Sequence, residues 1–350
     1  MNRTTPSAAR ARLLALCLLA LVSQACREVA APGDAPQPGP PPPSASPSSQ
    51  SSPAGAARPA YDGQRAFEHV RRMVETGPRP AGSAELARTR DYLTAELQAA
   101  GLKVSNDEFA AETPGGPRRM VNVTAELPGK SQQVIIVASH YDTKPVERFR
   151  FVGANDGGSS TGAVVEIARA LAASNPRPEF TYWFVLFDGE EAFCENWDDC
   201  SKPGRPDNTY GSRRYVARLR ERGELGRVGA LILLDMVGYA DLAIPREGYS
   251  TPWLTDIVWE TAHSLGHGAQ FPNRKEFVED DHIAFLRAGV PVVDLIQLSG
   301  YPHWHKAEDT LDKISPRSLQ IVGETVLASL PRVEAHLKRE GGGGSPQPAK

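Results

Sequence analysis

Long hydrophobic runs are missing from the amino terminus of this sequence. Leu13–Val22 (LLALCLLALV) covers about ten residues, whereas a helix that crosses a membrane needs roughly twenty. A basic stretch with Arg3, Arg10 and Arg12 precedes it, and small residues, Ser23-Gln24-Ala25, follow. A positive start, a short apolar centre and small residues describe an export signal over 1–25. Cys26 comes next, so lipid anchoring at Cys26 and simple secretion are both open; Ser23 stands where a lipoprotein signal usually has leucine. Either route places the chain in the periplasm or outside the cell.

An excess of one charge is also lacking. The 39 basic and 42 acidic residues are interspersed and leave a net charge of −3. No basic stripe is present, which argues against a nucleic-acid partner. No internal repeat is visible. Cysteine is scarce, with four in the chain. Cys17 lies in the signal and Cys26 at its end, which leaves Cys194 and Cys200. In an oxidising compartment these two are expected to pair, free thiols being the alternative, and they are not read as metal ligands. Large apolar groups are few between Pro32 and Pro59, where Pro, Ser, Ala and Gly dominate. Ordering such a segment costs more than its burial returns, so 26–60 reads as an extended tether. Residues 341–350 (GGGGSPQPAK) read as a second disordered end. What remains, 61–340, suits one large α/β domain, with a monomer as the default.

Within that domain the hydrophobic pattern alternates. Asp62 can cap a first helix that places Phe67, Val70 and Val74 on one face, and Ser83 a second that Gly101 ends. Extended segments follow at 103–111 and 119–127. The run 134–138 (VIIVA) is too short for a helix and reads as a strand buried on both faces. Helices at 161–173, 211–222, 253–265, 281–288 and 315–337 then alternate with strands at 181–187, 229–235 and 291–296. This order predicts a three-layer α/β/α sandwich around a mixed, mostly parallel sheet.

Ligands in such sheets sit beyond the carboxyl ends of the strands. His140 and Asp142 follow the strand at 134–138. Asp188, Glu190 and Glu191 follow 181–187, Asp235 ends 229–235, and His305 lies in the loop after 291–296. Asp156 lies in a Gly/Ser-rich loop (GANDGGSSTG) that leads into a helix. Singly, each has an ordinary explanation: a helix cap, a loop acid, a surface histidine. Their coincidence at four strand ends points to one site, and carboxylates with imidazoles suit zinc, whose catalytic sites use three protein ligands and keep a position open.

Taken in order, TGPRPAGS (76–83), SHYDTK (139–144), FVGANDG (151–157), FDGEEAF (187–193), YGSR (210–213), LLDMVG (233–238), DDHIAFLRAGVPV (280–292) and WH (304–305) resemble the M28 zinc peptidases. Within them, the chain looks like the animal-type glutaminyl-peptide cyclotransferases, over about 70–335. The peptidase branch implies two zinc ions on His140, Asp156, Glu191, Asp235 and His305, with Glu190 as the base. The cyclotransferase branch implies one zinc on Asp156, Glu191 and His305, proton transfer by Glu190, and a hydrogen-bonded acidic network of Asp235 and Asp280 beside it. It also implies a pocket walled by Trp197, Trp304 and Tyr301, and peptides or proteins with an N-terminal glutamine as substrates.

Both ligand sets are intact. Asp280 stands where the peptidases usually have serine, and Trp304 directly precedes His305; both favour the cyclase. Departures are present too. GANDGGSSTG reads more like the peptidases, Trp197 aligns only with an insertion, and the 299–303 loop is short. Asp294 replaces a histidine of the animal enzymes, and Ser139 replaces a cysteine. The expectation is a zinc-dependent glutaminyl cyclase. The alternatives are a di-zinc aminopeptidase and a metal-free binding ectodomain of the same fold; the latter would have broken ligands, and none is broken here.

Overall fold

The computed structural model describes residues 61–174 and 176–342. The expected export signal and tether, Cys26 and residues beyond 342 lie outside the described residues. Among the described residues no helix is long and apolar enough to cross a membrane.

Two helices open the domain, α1 (Gly63–Thr76) and α2 (Ala84–Ala99), and both expected caps are made. The Asp62 carboxylate accepts from the amides of Gln64 and Arg65, and Ser83 Oγ from that of Leu86. Each satisfies an amide that the first helical turn leaves without an intrahelical partner. Strands β1 (Lys103–Thr113) and β2 (Gly116–Leu127) form an antiparallel hairpin. β3 (Val134–His140), β4 (Thr181–Phe187), β5 (Val228–Asp235) and β8 (Val292–Ile296) run parallel, in the sheet order β1-β2-β4-β3-β5-β8. β2 joins this block antiparallel to β4.

The continuous apolar strands have the burial predicted for them, since every residue of β3, β4 and β8 is buried. Alternate side chains face opposite layers. Ile135, Val137, Phe184, Ile232 and Leu295 share one core with α1, α2, α3 (Ser160–Ala172), α5 (Pro252–Ser264) and α7 (Pro316–Gly342). Ile136, Ala138, Val185, Leu231 and Val292 face α4 (Tyr210–Glu221) and α6 (His282–Leu286). The three-layer sandwich is therefore present.

Three details differ from the sequence reading. α6 is a short helix, not a run over 281–288. α7 continues past 337 to Gly342, because Leu337 still packs on the core and Lys338 Nζ lies 3.1 Å from Glu179 Oε2. A small parallel pair, β6 (Arg246–Glu247) and β7 (Lys275–Glu276), stands beside the main sheet. Nothing in the local pattern signals strands this short.

Candidate active site

The carboxyl ends of the parallel strands converge as expected. His140 is the last residue of β3 itself, and Asp235 that of β5. His140 Nε2 lies 3.2 Å from Asp235 Oδ1 and 3.3 Å from Asp156 Oδ1. Across Asp156, His305 Nε2 is 3.4 Å from Asp156 Oδ2 and 3.2 Å from Glu191 Oε2. Two candidate metal groups thus share Asp156: Asp156, Glu191 and His305, and His140, Asp156 and Asp235. Within each group the ligand atoms lie no more than 4.8 Å apart. Asp156 Oδ2 and Glu191 Oε1 are buried without a hydrogen-bond partner. Such orphaned anionic oxygens are costly unless a cation faces them, and one imidazole with two carboxylates is a donor set that zinc accepts. The residues fit the metal that the sequence pattern implies.

The local backbone is bent to make this possible. Asp156 sits in an irregular segment, Ala154–Ser159, between β3 and α3. Gly157 beside it has φ +69°, and a Cβ there would come within 2.7 Å of the Asp142 carbonyl and 2.8 Å of the His140 ring. Among the described residues three non-glycine residues have left-handed backbone, and all three border the site: Met236 after Asp235, His305, and Thr209. The Thr209 amide donates to the Glu190 carbonyl. Strain of this kind persists where the surrounding structure over-determines it, and it concentrates at functional sites.

Supporting residues hold the ligands. Asp142 accepts from the amides of Glu190 and Glu191 at 3.2 and 3.4 Å, which orients the tandem glutamates. Asp309 accepts from the amides of Asn155 and Asp156 at 2.8 and 3.1 Å. Arg79 is fully buried and donates to the carbonyls of Tyr141, Val152 and Gly153, tying the β3 end to the loop before Asp156. Arg79 lies in the TGPRPAGS segment, where no local pattern marks its role. Asp309 escaped notice because it is one acid in an unpatterned loop. Replacing Arg79 with methionine removes three buried hydrogen bonds to loop and strand-end carbonyls. We expect a loss of about 3 kcal/mol or more in urea unfolding, with weaker metal retention in dialysis. Wild-type values for both would remove Arg79 from this role.

Charge regulation is strong. Burial pushes Glu190 well above the ordinary carboxylate range, and the nearby charges of Glu191, Asp280 and Asp281 add to this while His140 opposes it. Burial and the charge of Asp235 push Asp280 up to about 7. Burial pulls His305 down, but Glu191 and Asp156 outweigh it and raise it to about 10. Burial would raise Asp156, but its contacts with His140 and His305 hold it below the usual range.

Glu190, Glu191, Asp235, Asp280, Trp197, Trp304 and His305 all line one cavity of about 450 Å³. One expectation changes. Tyr301 does not line it: the ring is buried against Tyr239, and the hydroxyl donates to Asp309, the residue that holds the Asn155 and Asp156 amides. Glu190, Asp235 and Asp280 face the cavity as neighbours. Asp235 faces His140, while one Asp280 oxygen accepts from the Asp281 amide and the other has no partner. Cys194 and Cys200 are joined as a disulfide, which closes the loop carrying Trp197. Bonded sulfurs are not thiolate donors, so their proximity to Asp207 is not a metal site.

This fold and this cluster define a metallohydrolase-like α/β enzyme, and the profile of peptidase family M28 matches residues 122–330: the chain belongs to that family. Within the family it stands with the glutaminyl cyclases. The glutaminyl-peptide cyclotransferase-like protein of Mus musculus is 31% identical over 68% of this chain and 67% of its own. The solved glutaminyl cyclase of an Acidobacteriales bacterium is 36% identical, with a TM-score of 0.75, over 82% of this chain and all of that one. A leucine aminopeptidase precursor from Bacteroides thetaiotaomicron is also similar, at 28% identity and a TM-score of 0.72, over 79% of this chain and 98% of its own.

Proposed function

We propose that this enzyme is a zinc-dependent glutaminyl-peptide cyclotransferase, which closes the N-terminal glutamine of a peptide or protein to pyroglutamate and releases ammonia. The observation that carries this reading is the position of Asp280. It is 3% exposed, lies in the same cavity as Glu190 and Glu191, and leaves one oxygen without a partner. A buried acid free to hold a substrate nitrogen serves a reaction that moves an amide nitrogen, and two of the three relatives named above carry glutaminyl cyclase names.

Asp156, Glu191 and His305 would hold one zinc ion. Bound there, zinc supplies Lewis-acid polarisation of the substrate's side-chain carbonyl. The chain's own groups do the rest. The α-amine of the substrate is the nucleophile and must lose a proton. Glu190 is the base, and its raised affinity for protons suits the task. The new bond joins the α-nitrogen to the side-chain carbonyl carbon. The bond from that carbon to the amide nitrogen breaks, and Glu190 returns the proton to the departing ammonia. Asp280 and Asp235 hold the leaving nitrogen, and Trp197 and Trp304 wall the reactive conformer. Ring closure is intramolecular, so holding that conformer supplies much of the rate.

A second reading has a specific observation behind it. His140, Asp156 and Asp235 form a complete second group around the shared Asp156, as a two-metal aminopeptidase requires. Ammonia release from a Gln-initiated dipeptide, run beside amino-acid release from a Leu-initiated peptide, separates the two. Ammonia alone is expected; free amino acid alone would make this an aminopeptidase. The variant Asp280→Ser sharpens the test. It should lower ammonia release by about 10²-fold or more, the range of a lost proton-handling or charge-stabilising group, while metal content by atomic absorption stays at the wild-type level. An unchanged rate would remove Asp280 from the chemistry. Export to an oxidising compartment belongs to the same proposal, and the Cys194–Cys200 bond supports it.

A further inference from the structure

Among the described residues three large apolar side chains are markedly exposed: Phe277 at 63%, Tyr249 at 43% and Trp304 at 42%. They are not scattered. Phe277 and Trp304 line the cavity that holds Glu190 and His305, and Tyr249 packs against Phe277, edge to face, with ring centroids 5.1 Å apart. Exposed apolar surface gathered at one place marks a binding surface more often than chance exposure does.

Phe277 is also held. It directly follows β7, whose pairing with β6 fixes the backbone on either side of the contact. Its ring lies on the backbone of Gly248, where a Cβ would come within 2.5 Å of ring atoms, so only glycine permits this approach. The buried carboxylate of Glu247 accepts from the amides of Tyr249, Ser250 and Val278, which ties the turn after β6 to the residue after Phe277. The side chain is thus prepositioned toward the cavity mouth, with Val278 and Leu298 beside it. The cavity, about 450 Å³, falls within the roughly 300–1,000 Å³ of pockets that hold drug-sized ligands, which leaves room for more than one residue.

We infer that Phe277 and Trp304 form a subsite for the residue that follows the N-terminal glutamine, and that this subsite selects a large apolar or aromatic side chain there. The inference rests on the cyclase reading. With the glutamine directed at Glu190 and His305, the peptide must leave through the open mouth, and its second side chain then passes the Phe277 face. An apolar wall of this kind discriminates between side chains of different size by roughly ten-fold or more.

The test compares ammonia release from Gln-Phe-amide and Gln-Ala-amide by wild type, Phe277→Ala and Phe277→Tyr, all zinc-loaded. We expect wild type to favour Gln-Phe-amide in kcat/KM by roughly ten-fold, chiefly through KM. Phe277→Ala should bring that ratio near one, and Phe277→Tyr should keep it. The ring is outside the core, so folding is not at issue, and circular dichroism checks it. Equal rates on the two substrates in wild type, or an unaltered ratio in Phe277→Ala, would overturn the subsite and leave the cyclase standing. No ammonia from either substrate would overturn the cyclase reading, and this inference with it.

Discussion

Glu190→Gln should fold, keep its metal and lose ammonia release by about 10²–10⁴-fold in kcat, the range of a removed general acid–base group. The expectation follows from where Glu190 sits. Its amide is fixed by Asp142, its carbonyl accepts from Thr209, and its side chain opens into the cavity. Glutamine keeps the shape but can neither take a proton from the α-amine nor return one to ammonia. Folding should not suffer. Glu190 already carries a raised proton affinity from burial and from its acidic neighbours, so a neutral isostere relieves repulsion. Metal content should persist, because the proposed donors are Asp156, Glu191 and His305. The measurement is steady-state ammonia release with metal analysis and thermal unfolding on the same preparation. A variant within ten-fold of wild type would take Glu190 out of the proton path.

Metal removal should destabilise the protein, and the loss should grow with pH. In metal-free protein Asp280 binds its proton up to about pH 7, while the unfolded side chain releases it near 4. Glu190, Asp281 and Asp294 shift in the same direction, chiefly through burial. Between these values the folded state holds more protons than the unfolded state, so stability falls as pH rises. His305, raised to about 10 by Glu191 and Asp156 against the pull of burial, acts with the same sign. Its contribution is present below the unfolded value near 6.5 and is lost as pH climbs toward 10. For Asp280 alone the cost of ionising in place is on the order of 4 kcal/mol. A bound cation offsets this repulsion, and its ligands shed protons more readily at higher pH. Zinc at 100 times its dissociation constant adds about 2.7 kcal/mol, or roughly 5–10 °C in Tm for a domain of this size. The check is Tm with and without chelator at pH 5 and pH 8. The gap should widen at pH 8, with most of the change in the metal-free protein. An equal gap at both values, or a metal-free protein more stable at pH 8, would contradict the charge assignments.

How much of this was legible in the sequence depends on range. The caps at Asp62 and Ser83 are local, so the helix starts were readable. β3, β4 and β8 are buried along their whole length, so each reads as an unbroken apolar run. The rule that sites gather at the carboxyl ends of parallel strands then brought His140, Glu190, Glu191 and Asp235 to one edge. Tyr301 was misplaced because its position follows a loop whose path depends on Asp309, a residue no local pattern marks.

By itself the sequence determined the alternation of strands and helices, the family, and the acids and histidines of the candidate site, because these are written in short-range periodicity and compact motifs. Only the tertiary structure decided which of them meet. Asp156 reaches both His140 and His305 because glycine at 157 and left-handed backbone at 305 turn the chain there. Arg79 binds the loop carbonyls from a helix–helix connection far upstream. Phe277 faces the cavity because two two-residue strands pair beside it. Contacts between segments distant in the chain, and backbone conformations that few residues adopt, leave no periodic trace, and so they became visible only in the folded protein.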